Sequence, residues 1–214
     1  MLFRDRADAG RQLAARLEHL RAQEAVVLGL PRGGVPVAAQ VAAALAAPLD
    51  VVVVRKLGVP GHRELAMGAI GEDGAAVHSP DVVRRAGVAP AALEEVEARE
   101  RAELDRRVRR LRAVAPRLPL AGRTAIVVDD GVATGATARA ACAVVRALGA
   151  VRVVLAAPVC ATDAVRRLTA EGVEVVSVAT PRPFGAVSAH YAHFGQVPDE
   201  EVVALLRAAR QEAE

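Results

Sequence analysis

The chain has 214 residues, of which 53% are apolar and 25% are charged, with a formal net charge of +3. This length accommodates one α/β domain with a full core, and the composition excludes a mostly disordered chain. The longest stretch without a charge, residues 33–49, contains two prolines and a glutamine and is therefore a poor membrane span.

Charge and cysteine patterns indicate where the protein resides. The first ten residues carry charges where a signal peptide needs an apolar core, which predicts no export. Cys142 and Cys160 lie among apolar or small residues without metal-ligand spacing, as expected of reduced core thiols. These two patterns predict a cytoplasmic protein, and the lack of an uncharged apolar span predicts that it does not bind membrane. Because positive and negative charges alternate rather than form a basic stripe, we also predict no binding to nucleic acid.

In the first half of the chain, short apolar runs predict buried strands and periodic apolar residues predict helices. These elements are a helix over 11–21, a strand over 25–29, a helix over 35–46 and a parallel strand over 50–54. Residues 58–79 are rich in glycine and predict a loop and hairpin, with strand pieces at 68–70 and 75–78. A long charged helix is predicted over 90–112.

The second half alternates strands and helices. The predicted elements are a strand over 124–129, a helix ending at 148, a strand over 151–156, a helix over 162–171 and a strand over 173–178. Gly149 and Gly172 stand where helix C-caps are expected. The alternation predicts an α/β fold, a three-layer open sheet that is mostly parallel with helices on both faces. Ligands of such sheets bind beyond the carboxyl ends of the strands.

Two acids and a turn of small residues follow the strand over 124–129. Small residues let successive backbone N–H groups and a helix N-terminus surround a phosphate, and threonine hydroxyls add donors. The spacing fits neither a Walker loop nor a dinucleotide fingerprint. The adjacent carboxylates of Asp129 and Asp130 repel each other unless donors are near, and a sugar diol supplies such donors. The alternative is a capped turn with an incidental acid pair.

The segment AIVVDDGVATGAT, residues 125–137, resembles the phosphoribosyl-diphosphate signature of the type I phosphoribosyltransferases. The resemblance covers residues 25–180 and implies a single domain over 1–214. It implies that Asp129 and Asp130 hold the ribose of phosphoribosyl diphosphate (PRPP), while a phosphate loop holds the 5′-phosphate. The phosphate loop consists of Ala133, Thr134, Gly135, Ala136 and Thr137.

The sequence LPRGG, residues 30–34, resembles the diphosphate loop of the same family, which often contains a cis non-proline peptide bond. The resemblance implies that the diphosphate is bound by Arg32, Gly33, Gly34, Arg55 and Lys56. Lys56 is the only lysine among 28 basic residues, which suggests a need for a compact ammonium group. The alternatives are a solvent-facing Arg32 and a lysine whose stem covers a strand end.

Residues 57–66 resemble the mobile loop of the family, which closes over the substrate and excludes water. His62, Arg63 and Glu64 are its candidate site residues, and an ordinary hairpin loop is the alternative.

Three of the four aromatic residues follow the last core strand. The resemblance assigns residues 181–200, with help from 1–10, to a hood that covers the acceptor. Phe184 or Tyr191 would stack on a flat acceptor, or the rings would form the hood's own core. We expect His190 and His193 at surface or hood positions rather than as metal ligands.

The implied reaction is transfer of phosphoribosyl from PRPP to a nitrogen acceptor, a nucleobase, with release of pyrophosphate. Arg32, Arg55 and Lys56 would neutralise the leaving diphosphate, and Asp130 would stabilise the sugar cation. Mg²⁺ would be held through PRPP without a direct protein ligand.

The alternatives are a regulatory protein that senses PRPP or a nucleotide without transfer, and a hydrolase that uses Glu64 or His62. The acceptor is not identified by the sequence, and the helix over 90–112 could serve a homodimer face or cover the sheet.

Overall fold

The computed structural model describes residues 1–21 and 23–211, without the side chains of Arg63 and Glu64. The strands in chain order are β1 (Ala25–Gly29), β2 (Leu49–Val51), β3 (Val54–Val59), β4 (His62–Gly71), β5 (Ala76–His78), β6 (Thr124–Val128), β7 (Arg152–Val159) and β8 (Glu174–Ala179). The helices are α1 (Arg6–Arg16), α2 (Gly34–Leu45), α3 (Pro80–Arg85), α4 (Pro90–Arg112), α5 (Ala136–Ala147), α6 (Thr162–Ala170) and α7 (Asp199–Gln211).

The main sheet has five parallel strands in the order β2-β1-β6-β7-β8. Every residue of β1 and β6 is buried, as expected for central strands covered on both faces. Val27 and Ile126 point into a core shared with α1 and α2, whereas Val26 and Val127 pack with α5 and α6. The predicted three-layer α/β fold is therefore confirmed.

A second sheet of three antiparallel strands, in the order β3-β4-β5, corrects one expectation. The valine run over 50–54 does not form one strand, because only Leu49–Val51 joins the main sheet and Val54 begins β3. Val52 and Val53, which connect β2 to β3, are buried like the residues of β2. Their hydrophobicity therefore could not show that the chain passes from one sheet to the other at this point. Residues 57–66 form a hairpin in which Val59 pairs with His62 across a tight turn at Pro60 and Gly61, and their closure over a substrate stays a prediction.

Some helix bounds also differ from expectation. α1 begins at Arg6 and ends at Arg16, where a helix was expected over 11–21, because the Asp5 carboxylate caps it by accepting from the Asp8 N–H at 2.8 Å. A short 3₁₀ turn, Glu18–Leu20, follows it. α4 has the bounds that the sequence predicts, whereas α3 and α7 were not predicted. No helix in the described ranges is long and apolar enough to cross a membrane.

Both cysteines lie in the core as predicted. Cys142 on α5 and Cys160 after β7 are buried and unpaired. Burial raises the pKa of each thiol to about 12, so both are protonated and unreactive at neutral pH.

Candidate active site

The phosphate loop follows β6 at the carboxyl edge of the main sheet. The residues that lead into this loop are held against β7, because the Val132 N–H donates to the Val159 carbonyl at 2.8 Å. Gly135 takes φ +78° at the N-cap of α5, a conformation that favours glycine. Among the described residues, the backbone N–H groups of Ala133, Thr134 and Gly135 have no hydrogen-bond acceptor. The loop therefore presents open donors beside the start of a helix, which suits an anion.

The acid pair lies directly before this loop. Asp130 forms an ion pair with Arg6 of α1, with 2.8 Å between Nε and Oδ2, and both side chains are largely buried. The Arg6 guanidinium lies 3.9 Å from the ring centroid of Phe194 and donates to the Gly195 carbonyl at 2.8 Å. Arg6, at the start of α1, thus fixes Asp130, one of the two carboxylates predicted to bind ribose.

Asp129 has a different electrostatic environment. Its Oδ1 accepts from the Asp130 N–H at 2.9 Å, and no described cationic side chain forms an ion pair with it. Burial, reinforced by the neighbouring Asp130 carboxylate, raises the pKa of Asp129 to about 7. Asp129 is therefore a carboxylate with spare acceptor capacity next to the open amides of the phosphate loop.

The diphosphate loop packs against the acid pair. A Cβ on Gly33 would lie 2.0 Å from Asp130 Oδ2, and one on Gly34 would lie 2.4 Å from the Val128 carbonyl oxygen. Only glycine permits this approach, so the diphosphate loop and the acid pair are in direct contact. The Pro31–Arg32 peptide bond is cis, which confirms the expectation for this loop.

Two of the predicted cationic residues lie close to carboxylates of the protein. Arg32 is exposed and lies 3.9 Å from Asp199 at the start of α7. Arg55 forms an ion pair with Glu100 of α4, with 2.6 Å between Nη2 and Oε2. Both arginines are therefore held by carboxylates that the sequence analysis did not single out.

An open cleft of about 430 Å³ joins several predicted segments. It is lined by Pro31 of the diphosphate loop, Lys56 of β3 and Thr137 of the phosphate loop. α4 closes one side with residues that the sequence analysis missed, namely Arg99, Glu100 and Arg107. On a helix so rich in alternating charges, no local signal distinguishes these three from solvated residues.

The C-terminal segment and the chain start form one aromatic cluster. Tyr191 is buried between Phe3 and Phe194, with ring centroids 5.3 and 5.0 Å away, and its hydroxyl donates to the Asp130 carbonyl at 2.5 Å. Stacking of an acceptor on Tyr191 was therefore a wrong expectation, because this ring fills the cluster's core. Phe184 is half-buried against His190 at 5.2 Å, and its contact with an acceptor stays a prediction.

The remaining predicted residues are placed only in part. His190 is buried and lies 2.8 Å from the Phe184 carbonyl, whereas His193 is exposed. His62 is exposed at the tip of the β3–β4 hairpin, and the side chains of Arg63 and Glu64 lie outside the described residues.

The structure defines an α/β protein in which the phosphate loop, the acid pair and the diphosphate loop lie at the carboxyl edge of a parallel sheet. The chain matches the family model of the phosphoribosyl transferase domain over residues 4–178. Two Mycobacterium tuberculosis proteins, from strains CDC 1551 and H37Rv and both named putative phosphoribosyl transferase, are 58% identical over 214 residues. Those residues are 100% of this chain and 48% of each relative, so the chain spans about half the length of the curated relatives it matches.

Solved structures show the same fold. The crystal structure of TT1426 from Thermus thermophilus has a TM-score of 0.91 at 49% identity, covering 97% of this chain and 99% of that chain. A Neisseria gonorrhoeae protein solved with bound ppGpp has a TM-score of 0.51 at 16% identity, covering 98% and 97%, and shows likeness of fold alone. The chain belongs to the phosphoribosyl transferase domain family.

Proposed function

We propose that the chain binds PRPP and transfers its 5-phosphoribosyl group to a nitrogen acceptor, releasing pyrophosphate. The observation that carries this proposal is the arrangement at the end of β6. There, the Asp129 carboxylate is followed by the open amides of the phosphate loop, and Thr137 of the same loop lines a cleft that also contains arginine and lysine side chains. The backbone donors fit a 5′-phosphate, the carboxylate acceptor fits a ribose diol, and the cations fit a diphosphate.

In this assignment the phosphate loop holds the 5′-phosphate and Asp129 accepts hydrogen bonds from the ribose hydroxyls. The bond between the anomeric carbon and the diphosphate oxygen breaks, and its electron pair leaves with the diphosphate. The acceptor nitrogen supplies the pair for the new bond and afterwards loses its proton. Arg32, Arg55 and Lys56 neutralise the charge that develops on the diphosphate, while the acid pair stabilises the sugar cation.

Mg²⁺, which the family resemblance implies, would supply further charge neutralisation on the diphosphate. In the described part of the chain no three histidine, cysteine or acidic side chains form a metal-binding group. The donor set fits an ion held mainly by substrate oxygens, with Asp129, which has no ion pair with a described side chain, as the adjacent carboxylate. The β3–β4 hairpin is proposed to close over the bound substrate, and the aromatic cluster is proposed to border the acceptor.

The test supplies the 214-residue chain with PRPP, Mg²⁺ and a mixture of nucleobases, and follows pyrophosphate release and nucleotide products by mass spectrometry. We expect pyrophosphate together with one nucleoside monophosphate. Asp129→Asn should reduce turnover at least about tenfold, whereas Asp163→Asn on the exposed surface of α6 should not change it.

Other outcomes reject transfer in different ways. Pyrophosphate release without any acceptor would identify a hydrolase. PRPP binding measured by calorimetry, without pyrophosphate release under any condition, would identify a sensor. Absence of PRPP binding would reject the site assignment itself.

A further inference from the structure

The arginines of α4 differ in whether they have carboxylate partners. The helix carries seven arginines, and five of them form ion pairs. These pairs are Arg99–Glu100, Arg101–Glu97, Arg106–Glu103, Arg110–Asp199, and Arg112 with both Asp50 and Glu72. Arg107 and Arg109 form none with any described residue. Arg109 is exposed to solvent, whereas Arg107 is half-buried.

Arg107 is also distinguished by where it lies. It lines the cleft that contains Pro31, Lys56 and Thr137. Burial lowers the pKa of Arg107, the guanidiniums of Arg32 and Arg55 lower it further, and Asp199 opposes them. Removing like charges from water in one cleft costs free energy unless an anion joins them. The cationic surroundings of Arg107 therefore suit an anionic ligand.

We propose that Arg107 is a further residue of the diphosphate subsite, where its guanidinium binds the leaving diphosphate together with Arg55 and Lys56, which line the same cleft. This inference rests on the proposed function, because that function identifies the anion as a diphosphate. A planar guanidinium can donate two parallel hydrogen bonds to one phosphate, and its charge stabilises the negative charge that develops as the diphosphate leaves. α4 thus has a binding role in addition to covering β3.

The experiment measures two ligands separately by calorimetry on the 214-residue chain. Inorganic pyrophosphate with Mg²⁺ probes the diphosphate subsite, and ribose 5-phosphate probes the phosphate loop and the acid pair. Arg107→Gln should weaken pyrophosphate binding about tenfold, or about 1.4 kcal/mol, and change ribose 5-phosphate binding less than about twofold. Arg109→Gln, which removes the same charge from the same helix, should change both affinities less than about twofold.

Several results would overturn the inference. It fails if Arg107→Gln leaves pyrophosphate affinity unchanged, if Arg109→Gln weakens it equally, or if both probes lose affinity together. Thermal unfolding shows whether the Arg107→Gln variant is folded. Arg107→Met, which keeps the apolar stem without the charge, is a second variant, and we expect the same loss of pyrophosphate affinity from it. A wild-type chain that binds neither probe rejects the proposed function as well. Normal wild-type binding with an unaffected Arg107→Gln variant rejects only the role of Arg107.

Discussion

At the scale of single residues, the two adjacent acids after β6 have become chemically different. Asp130 has Arg6 as a close cationic partner, while Asp129 is half-buried beside Asp130 and has no ion pair with a described side chain. Folding therefore stabilises the protonated form of Asp129 relative to its state in the unfolded chain. A ribose diol would donate hydrogen bonds to the ionised form, so ligand binding would favour loss of that proton.

This difference predicts a pH-dependent stability. The pKa of Asp129 is raised from 3.8 to about 7, so between these values the folded chain binds more protons than the unfolded chain, and stability falls as pH rises. Relative to Asp129→Asn, the wild-type free energy of unfolding should fall by roughly 2 kcal/mol between about pH 5 and about pH 8. Urea unfolding of both proteins at several pH values measures this difference in the free energy of unfolding. Parallel pH profiles for the two proteins would contradict the raised pKa.

At the scale of elements, a buried ion cluster joins α4 to both sheets. Arg112 at the end of α4 contacts Glu72 after β4 and Asp50 of β2, with 2.6 Å from Nε to Glu72 Oε2 and from Nη1 to Asp50 Oδ1. It also donates to the Val51 carbonyl at 3.0 Å. The fully buried Asp50 carboxylate accepts from the Leu118 N–H at 2.9 Å as well. The cluster fixes the position of the helix that closes the cleft.

Removing the arginine should therefore be costly. Arg112→Leu leaves two buried carboxylates without their cation, and we expect a loss of about 3–5 kcal/mol in the free energy of unfolding. Arg109→Leu on the exposed face of the same helix should change stability by less than about 0.5 kcal/mol. Chemical denaturation compares the two variants, and similar losses would show that the cluster contributes little.

At the scale of the whole molecule, the chain start is coupled to the C-terminal segment and to the acids. The N–H groups of Leu2 and Phe3 donate to the His190 carbonyl at 2.9 and 3.0 Å, and the Phe3 carbonyl accepts from the Ala192 N–H at 2.8 Å. Arg6 then reaches Asp130. Residues distant in sequence therefore jointly form one wall of the candidate site.

This coupling predicts that the chain start is needed for stability. The Phe3 side chain is 2% exposed, so Phe3→Ala should lower the free energy of unfolding by about 3–5 kcal/mol through lost burial and a cavity. The neighbouring Leu2 is 48% exposed, and Leu2→Ala should have a much smaller effect. Thermal or urea unfolding of both variants tests this, and equal small effects would mean that the aromatic cluster is dispensable.

The local sequence determined the main sheet and the positions of its loops. Continuous apolar runs marked β1, β6 and β7, and the acids and small residues after β6 marked the turn proposed to bind a phosphate. Neighbouring residues encode both features, because strand burial and turn chemistry depend on local sequence. Only the tertiary structure decided that the valine run divides between two sheets, that Arg6 pairs with Asp130, and that Arg107 lines the cleft. These contacts join residues far apart in the chain, and a charged residue has the same local pattern whether it faces solvent or a binding site.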